Sequence, residues 1–200
     1  MVIHKIKEPF PHLIIEDFYS EDELKLIWRE LDFLTSPNKL MPANLDGSTQ
    51  NSNALSLSLV NIYKDLKYSN ISFINKKILS CEIKDAFLSL SEFFGHMSLI
   101  NHMFIKIKYY ENGHNYHKHQ DIARFTGINY LYKEPKKFEG GDLYFDDYKY
   151  KIELKNNMFI LFMGCLWHSV TPIILNEDAY ITGNGKYSIT NFLGIDENIR

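Results

Sequence analysis

The stretch "HNYHKHQDIARF" (residues 114–125) places three histidines and an aspartate within eight positions. A metal needs ligands that converge, and His119 and Asp121 are spaced i, i+2. In a strand that spacing puts both side chains on one face. A third ligand then has to come from a neighbouring strand, far away in sequence, and His168 in the apolar segment "CLWHSV" supplies it. Two imidazoles and one carboxylate leave three coordination positions open, the ligand set of a mononuclear non-haem iron(II) centre that must admit a co-substrate and dioxygen. The same stretch leaves a second assignment open, with His117 and His119 presented together to a zinc ion. His4, His12, His96 and His102 read as ordinary structural histidines.

If 2-oxoglutarate fills the open positions, its distal carboxylate needs a cation and hydroxyl donors. "GKYSITNF" offers Lys186 and, four residues on, Thr190, which share a strand face by period two. A buried lysine is a sensible point-charge partner for the far end of a dianion. Tyr109 and Tyr130, on strands flanking "HQD", add phenol donors to the same pocket. Without the three metal ligands, Lys186 would read as a surface lysine at the end of a turn, and the tyrosines as plain sheet aromatics.

These residues need a scaffold. From about residue 100 the chain breaks into short β-rich segments: "MFIKIKYY", "GINYLY", "GDLYFDDYKYKIEL", "NMFILFMG", "WHSVTPI" and "YSITNFLG". Turn formers such as "ENG", "EGG" and "KNN" separate them, a pattern that predicts an all-β barrel or double-sheet jelly roll. The first half differs. Residues 13–15 form a short apolar strand, and Ser20 with Glu23 is a capping box that opens a helix with Leu24, Ile27, Trp28 and Leu31 on its buried stripe. Ser69 caps a second helical pattern through Ile71, Ile74 and Ile78, and a third carries Ile83, Phe87, Leu90 and Phe94 to an end near Gly95. "LSLSLVNIY" (55–63) alternates as a strand. Residues 36–54 are polar and turn-rich, either a surface excursion or a substrate lid that includes Asn44, Asp46, Ser48 and Asn51. The fold class is thus mainly β with N-terminal helices (α+β), in one domain: residues 1–99 as support and 100–195 as the β core.

At 200 residues, 45% of them hydrophobic, the chain is long enough to bury a core. Its net charge of -3 gives no electrostatic case for a nucleic-acid partner, and its lysines are scattered. No stretch approaches the roughly 20 apolar residues of a membrane span, and "MVIHKIKEPFPHLIIEDF" lacks the apolar core of a signal peptide. Cys81 and Cys165 lie far apart, and Cys165, in an apolar run, reads as a buried thiol in a reducing compartment. These features predict a soluble cytoplasmic protein.

Taken in order, the motifs resemble the Fe(II)/2-oxoglutarate-dependent dioxygenases, and within them the prolyl 4-hydroxylase-like branch. "PFPHLIIEDFYSEDELKLI" is similar to the family's opening strand and helix, and "IKYYENGHNYHKHQD" to its run from a co-substrate tyrosine to the H-x-D pair. "INYLY", "EGGDLYF", "LFMGCLWHSV" and "GKYSITNFLG" resemble the next strand, the Gly-Gly-acid-Leu turn, the distal histidine and the co-substrate anchor. The resemblance implies a double-stranded β-helix, a jelly-roll and cupin-like core whose larger sheet is buttressed by helices. It implies Fe(II) held by His119, Asp121 and His168, which would be the catalytic centre. It implies 2-oxoglutarate bound by Lys186 with Thr190, Tyr109 and Tyr130, dioxygen as second co-substrate, and ascorbate as an accessory. The expected reaction is hydroxylation of an unactivated C–H bond, with a peptidyl proline as first substrate and a free amino acid, other small molecule or other protein side chain as alternatives. Lys186 stands where many relatives have arginine, and Phe192 where several protein hydroxylases have tryptophan. Nucleic-acid demethylases generally carry a second arginine after the anchor, and here only Arg200 follows. A zinc enzyme would need another ligand near "HQDIARF", and an inactive β-helix binding module would more often have lost a ligand.

Overall fold

Alternating side chains in the second half of the chain build facing antiparallel sheets, one large and two small. The computed structural model describes residues 1–36, 39–46, 52–176 and 182–196. In chain order the strands are β1 (Val2–Ile6), β2 (His12–Glu16), β3 (Met41–Pro42), β4 (Leu55–Ser58), β5 (His102–Tyr110), β6 (Tyr116–His119) and β7 (Phe125–Leu131). They continue as β8 (Phe138–Gly140), β9 (Leu143–Phe145), β10 (Tyr150–Ile152), β11 (Met158–Met163), β12 (His168–Val170), β13 (Ile173–Leu175) and β14 (Lys186–Gly194). The helices are α1 (Glu21–Leu34), α2 (Leu59–Ile62), α3 (Asn70–Asn75) and α4 (Cys81–Leu88), joined by short 3-10 turns.

The larger sheet has eight strands in the order β1-β2-β11-β7-β14-β5-β4-β3. Facing it are a four-stranded sheet, β10-β9-β12-β6, and the pair β13-β8. From β5 to β14 the chain passes alternately between the larger sheet and the smaller ones, which is the winding of a double-stranded β-helix.

Period-two alternation divides the larger sheet into two faces. Ile105, Ile107 and Tyr109 on β5, Phe159 and Leu161 on β11, and Tyr187 and Ile189 on β14 join a core made with the helices. Each such side chain, fully buried, contributes about 1.5–3 kcal/mol. Tyr110, Tyr130, Ile160 and Phe162 belong to a second core between the sheets. The helices are tied down by polar contacts as well as by packing. Trp28 of α1 meets the Tyr187 ring edge-on at 5.1 Å. The buried Glu30 carboxylate accepts from Ser69 Oγ at 2.7 Å and from the Ile71 amide at 2.9 Å, fixing the start of α3 against α1. Asn75 Nδ2 then donates to Asn191 Oδ1 of β14 at 2.7 Å, so α3 is bonded to the middle of the larger sheet. Buried amides left without such partners would be costly, so these bonds specify how the helices sit.

The capping box at α1 is present: Ser20 Oγ accepts from the Glu23 amide at 3.3 Å, and Glu23 Oε2 accepts from the Ser20 amide at 2.8 Å. Ser69 likewise caps α3. Several local expectations change. The strand expected over 55–63 ends at Ser58 and turns into α2. Leu55, Leu57 and Leu59 are buried on either description, so alternation alone could not separate them. The third helical pattern breaks at Leu88, and a 3-10 segment, Glu92–Leu99, carries Phe94 back into the core. Cys165 is exposed, because it lies in the turn between β11 and β12 rather than inside either strand. Within residues 36–54, Met41–Pro42 pairs with β4. No helix among the described residues is long and apolar enough to cross a membrane.

Candidate metal and co-substrate site

His119 ends β6 and His168 begins β12, and the two are directly paired across the smaller sheet. That register brings their rings to 4.2 Å between centroids. Asp121, two residues past His119, completes the group. Its Oδ1 lies 3.7 Å from His119 Nε2 and its Oδ2 lies 3.5 Å from His168 Nε2. One ligand atom from each residue falls within 4.8 Å of the others.

The local backbone explains why Asp121 turns inward. The Asp121 amide donates to Gly164 O at 2.8 Å and the Gly164 amide donates to Arg124 O at 3.1 Å, clamping the segment to the end of β11. A Cβ on Gly164 would sit 2.1 Å from Ala123 O, so only glycine permits that approach. From β7, Thr126 Oγ1 donates to Asp121 Oδ2 at 2.6 Å, which orients the carboxylate.

Both imidazoles are held in one tautomer. His119 Nδ1 is 2.8 Å from His117 O, and His168 Nδ1 is 2.8 Å from Leu166 O. A carbonyl can only accept, so Nδ1 carries the proton and the Nε2 lone pair points at the shared centre. Burial, and then the neighbouring His168, push the His119 imidazole down to about 3. Burial also lowers His168, opposed by the Asp121 carboxylate. Neutral imidazoles are the form that ligates a metal. Two such donors and one oriented carboxylate suit a divalent transition ion with open positions, so the donor set fits Fe(II).

A small cavity opens from these three residues between the sheets. Lys186, at the start of β14, is fully buried in its wall. Its Nζ donates to Gly141 O at 2.9 Å and lies 4.2 Å from the Tyr110 ring centroid and 5.0 Å from that of Tyr130. The Gly140–Gly141 turn makes this reach possible: both residues have positive φ, and a Cβ on Gly140 would sit 2.0 Å from Pro172 O. Burial, then repulsion from Lys108, hold the Lys186 ammonium well below the usual lysine range. The Tyr130 hydroxyl is buried with no hydrogen-bond partner among the described residues. Thr190 and Ser188 line the same wall. A buried ammonium with donors to spare beside an orphaned phenol is the setting a carboxylate of 2-oxoglutarate would satisfy.

The expected residues divide clearly. His119, Asp121, His168, Lys186, Thr190 and Tyr130 meet at one cavity. Tyr109 does not. It points to the helix side, where its hydroxyl accepts from the amides of Gly183 and Gly185 at 2.8 and 3.2 Å. Tyr110 takes the cavity position instead, because it pairs with Lys186 across β5 and β14 while Tyr109 pairs with Tyr187. Among the candidate lid residues, Asn44 is exposed. Asp46 is an anchor rather than a moving part: its buried carboxylate accepts from Ser56 at 2.7 Å and Ser58 at 3.3 Å, and its carbonyl from Lys106 at 2.9 Å. Ser48 and Asn51 lie outside the described residues. His114 accepts the Glu111 amide at 3.1 Å in the turn after β5, and His117 is exposed, so neither joins His119 in a zinc pair. Sequence reading also passed over Lys108, Tyr116 and Thr126. The Tyr116 ring stacks on His119 at 3.6 Å between centroids.

Comparison with known proteins agrees with this geometry. Residues 105–194 match the 2OG-Fe(II) oxygenase superfamily. No curated protein matches the chain in sequence. Among solved structures, a Pseudomonas putida prolyl-4-hydroxylase is 15% identical with a TM-score of 0.63, over 92% of this chain and 92% of that one. The viral collagen prolyl hydroxylase of Paramecium Bursaria Chlorella virus-1, in its 2OG complex, is 16% identical with a TM-score of 0.57, over 92% of this chain and 96% of its own. The epimerase SnoN from nogalamycin biosynthesis, non-heme and alpha-ketoglutarate-dependent, is 10% identical with a TM-score of 0.56, over 92% and 78%.

Proposed function

We propose that this chain, whose residues 105–194 match the 2OG-Fe(II) oxygenase superfamily, is such an oxygenase and hydroxylates an unactivated C–H bond, the proline ring of a peptide being its substrate. The observation that carries the reading is a single cavity shared by the His119–Asp121–His168 group and the buried Lys186. His119 and His168 offer Nε2, and Asp121 offers a carboxylate oxygen, to Fe(II). Lys186 donates to the distal carboxylate of 2-oxoglutarate, and the Tyr130 hydroxyl, otherwise without a partner, donates to the same group. Thr190 adds a hydroxyl on that wall. Bound together, Fe(II) and 2-oxoglutarate supply dioxygen activation coupled to decarboxylation of the co-substrate to succinate and CO₂. The role of the protein is to orient the co-substrate and to exclude water around the reacting carbon, which the apolar lining of Ile128, Leu143, Val170 and Phe192 serves. Ascorbate would act as an accessory reductant, and the chain would work in the cytoplasm.

The prolyl hydroxylases among the structural relatives support proline as substrate. Proline also suits a shallow groove, since its ring fixes φ and presents C4 away from the backbone at little further entropic cost. A free amino acid or other small molecule is the second reading, supported by the epimerase of the same fold. Incubation of the protein with Fe(II), 2-oxoglutarate and a library of proline-containing peptides, read by mass spectrometry, should show one added oxygen on the proline ring. Succinate formed with every peptide unmodified and a free amino acid oxidised would replace proline peptides with the second reading.

A further inference from the structure

The cavity holds a second buried cation that the reaction just described does not use. Lys108 of β5 is 4% exposed and lines the cavity wall. Its Nζ lies 3.6 Å from the centroid of the Tyr116 ring. No hydrogen-bond acceptor or salt-bridge carboxylate among the described residues reaches it. The two other lysines of this sheet face are provided for: Lys106 Nζ has Asp46 O at 2.9 Å and Asp46 Oδ2 at 3.5 Å, and Lys186 has Gly141 O at 2.9 Å. An ammonium buried with only a ring face in contact lacks a hydrogen-bonded anion, although the Asp121 and Asp46 carboxylates attract it from further off.

Lys108 and Lys186 line the cavity from neighbouring strands, Lys108 opposite Ser188 and Lys186 two residues before that serine. Lys186 is fixed at the Gly140–Gly141 turn between Tyr110 and Tyr130. Lys108 lies over Tyr116, whose ring is also stacked 3.6 Å from His119 at an interplanar angle of 16°. Two groups that close to one ring cannot share a face, so Tyr116 separates the Lys108 ammonium from the His119 imidazole. On that side lie β4, paired with β5 through Ser56 and Lys108, and the bridge from Ser52 to Tyr116. Lys108 stands one strand nearer to β4 than Lys186, which is held at the Gly140–Gly141 turn.

Charge points the same way. Among the described residues lining the cavity Asp121 is the one carboxylate, beside the two lysines Lys108 and Lys186. A divalent metal and a dianionic co-substrate cancel each other, so the lysines that line the site outnumber its carboxylate by one.

We propose that Lys108 receives a carboxylate of the primary substrate, so that the enzyme selects substrates bearing an acidic group close to the carbon it oxidises. The proposal rests on the 2-oxoglutarate oxygenase reading above. In a peptide the carboxylate is an Asp or Glu side chain beside the oxidised residue, or a free C-terminus. In a small molecule it is an α-carboxylate. The position also predicts that amidation of that group weakens binding without disturbing the co-substrate.

The test uses Zn²⁺-loaded protein, which cannot turn over, saturated with the 2-oxoglutarate analogue N-oxalylglycine and titrated by calorimetry with matched pairs. The pairs are acetyl-Ala-Pro-Glu-amide against acetyl-Ala-Pro-Gln-amide, acetyl-Ala-Pro against its C-terminal amide, and L-proline against L-prolinamide. Wild-type protein should bind the acidic member of at least one pair about tenfold or more tightly than its amide, the size expected of a charge-assisted bond. Lys108→Met, of similar length and without charge, should abolish that difference while N-oxalylglycine affinity stays within about threefold. Lys108→Gln serves as a second uncharged variant if Lys108→Met does not fold, and Lys108→Arg should keep the preference. An absent preference in wild type, whether both members of every pair bind or neither does, overturns the proposal. So does a preference that survives in the uncharged variant. Loss of N-oxalylglycine binding in Lys108→Met would instead place Lys108 on the co-substrate. Wild-type protein that fails to bind N-oxalylglycine at all would overturn the oxygenase reading beneath it.

Discussion

The two faces of β5 and β14 belong to the same backbone and do opposite work. On the helix side stand Ile105, Ile107 and Tyr109, with Tyr187, Ile189, Asn191 and Leu193 opposite. On the other side stand Lys106, Lys108 and Tyr110, with Lys186, Ser188 and Thr190 opposite. The first face is apolar and holds the helices. The second is charged and equally buried: Lys106, Lys108 and Lys186 are at most 8% exposed. Polar residues on one side of an amphipathic strand ordinarily meet water. Here Lys108 and Lys186 meet a cavity and Lys106 meets Asp46, and the rigid apolar face is what holds them there. The comparison teaches that stability and chemistry are separated by one residue of parity.

That separation can be broken experimentally, and the largest effect should come at the site. Asp121→Ala removes the carboxylate grouped with His119 and His168, and succinate formation should fall below detection. Circular dichroism of the same variant should still report a folded chain. On the helix face, Ile107→Ala should cost about 2–5 kcal/mol of stability through a cavity that the core cannot refill, seen as a lower midpoint in urea. Turnover per folded molecule should be preserved. A variant that lost activity with no loss of stability would show that the helix face does more than support.

Smaller effects sharpen the division. Lys186→Ala deprives the distal carboxylate of a charge-assisted bond, a loss of roughly 1.5–3 kcal/mol, or about ten- to a hundredfold in 2-oxoglutarate affinity by calorimetry. The finest comparison sets Tyr130→Phe against Tyr109→Phe. Loss of the cavity hydroxyl should weaken 2-oxoglutarate binding by about 0.5–1.5 kcal/mol. Loss of the Tyr109 hydroxyl, which accepts from Gly183 and Gly185 on the far face, should leave that affinity unchanged and lower the melting temperature.

The same parity explains what could be read from the sequence. His119, Asp121 and His168 were legible because an i, i+2 pair and a distant histidine in an apolar strand leave few other geometries. Lys186 and Thr190 followed from period two on one strand. The doublet Tyr109–Tyr110 offered no such guide: "IKIKYY" alternates cleanly, but alternation does not say whether the lysine side faces water or a cavity. Reading lysines as solvent-facing turns Tyr109 inward and hides Lys106 and Lys108 together. Only the register, Lys186 opposite Tyr110, resolves it. The anchoring role of Asp46 was hidden for a related reason, since the hydroxyls that donate to it, Ser56 and Ser58, lie on a strand whose inward face is polar. The helices were legible at their caps and illegible at their breaks, because a helical turn and a 3-10 turn bury the same residues.

Lys186 has a consequence for the lifetime of the folded chain. Its side chain is fully buried with one peptide carbonyl as acceptor among the described residues, and burial holds its ammonium well below the usual lysine range, a penalty on the charged form that a bound dianion would offset. A ligand that binds only the folded form raises its stability by mass action, about 2.7 kcal/mol when present at a hundred times its dissociation constant. The supply of 2-oxoglutarate would thereby govern how much enzyme persists as well as how fast each molecule works, and a cell depleted of it would lose catalyst through unfolding and proteolysis.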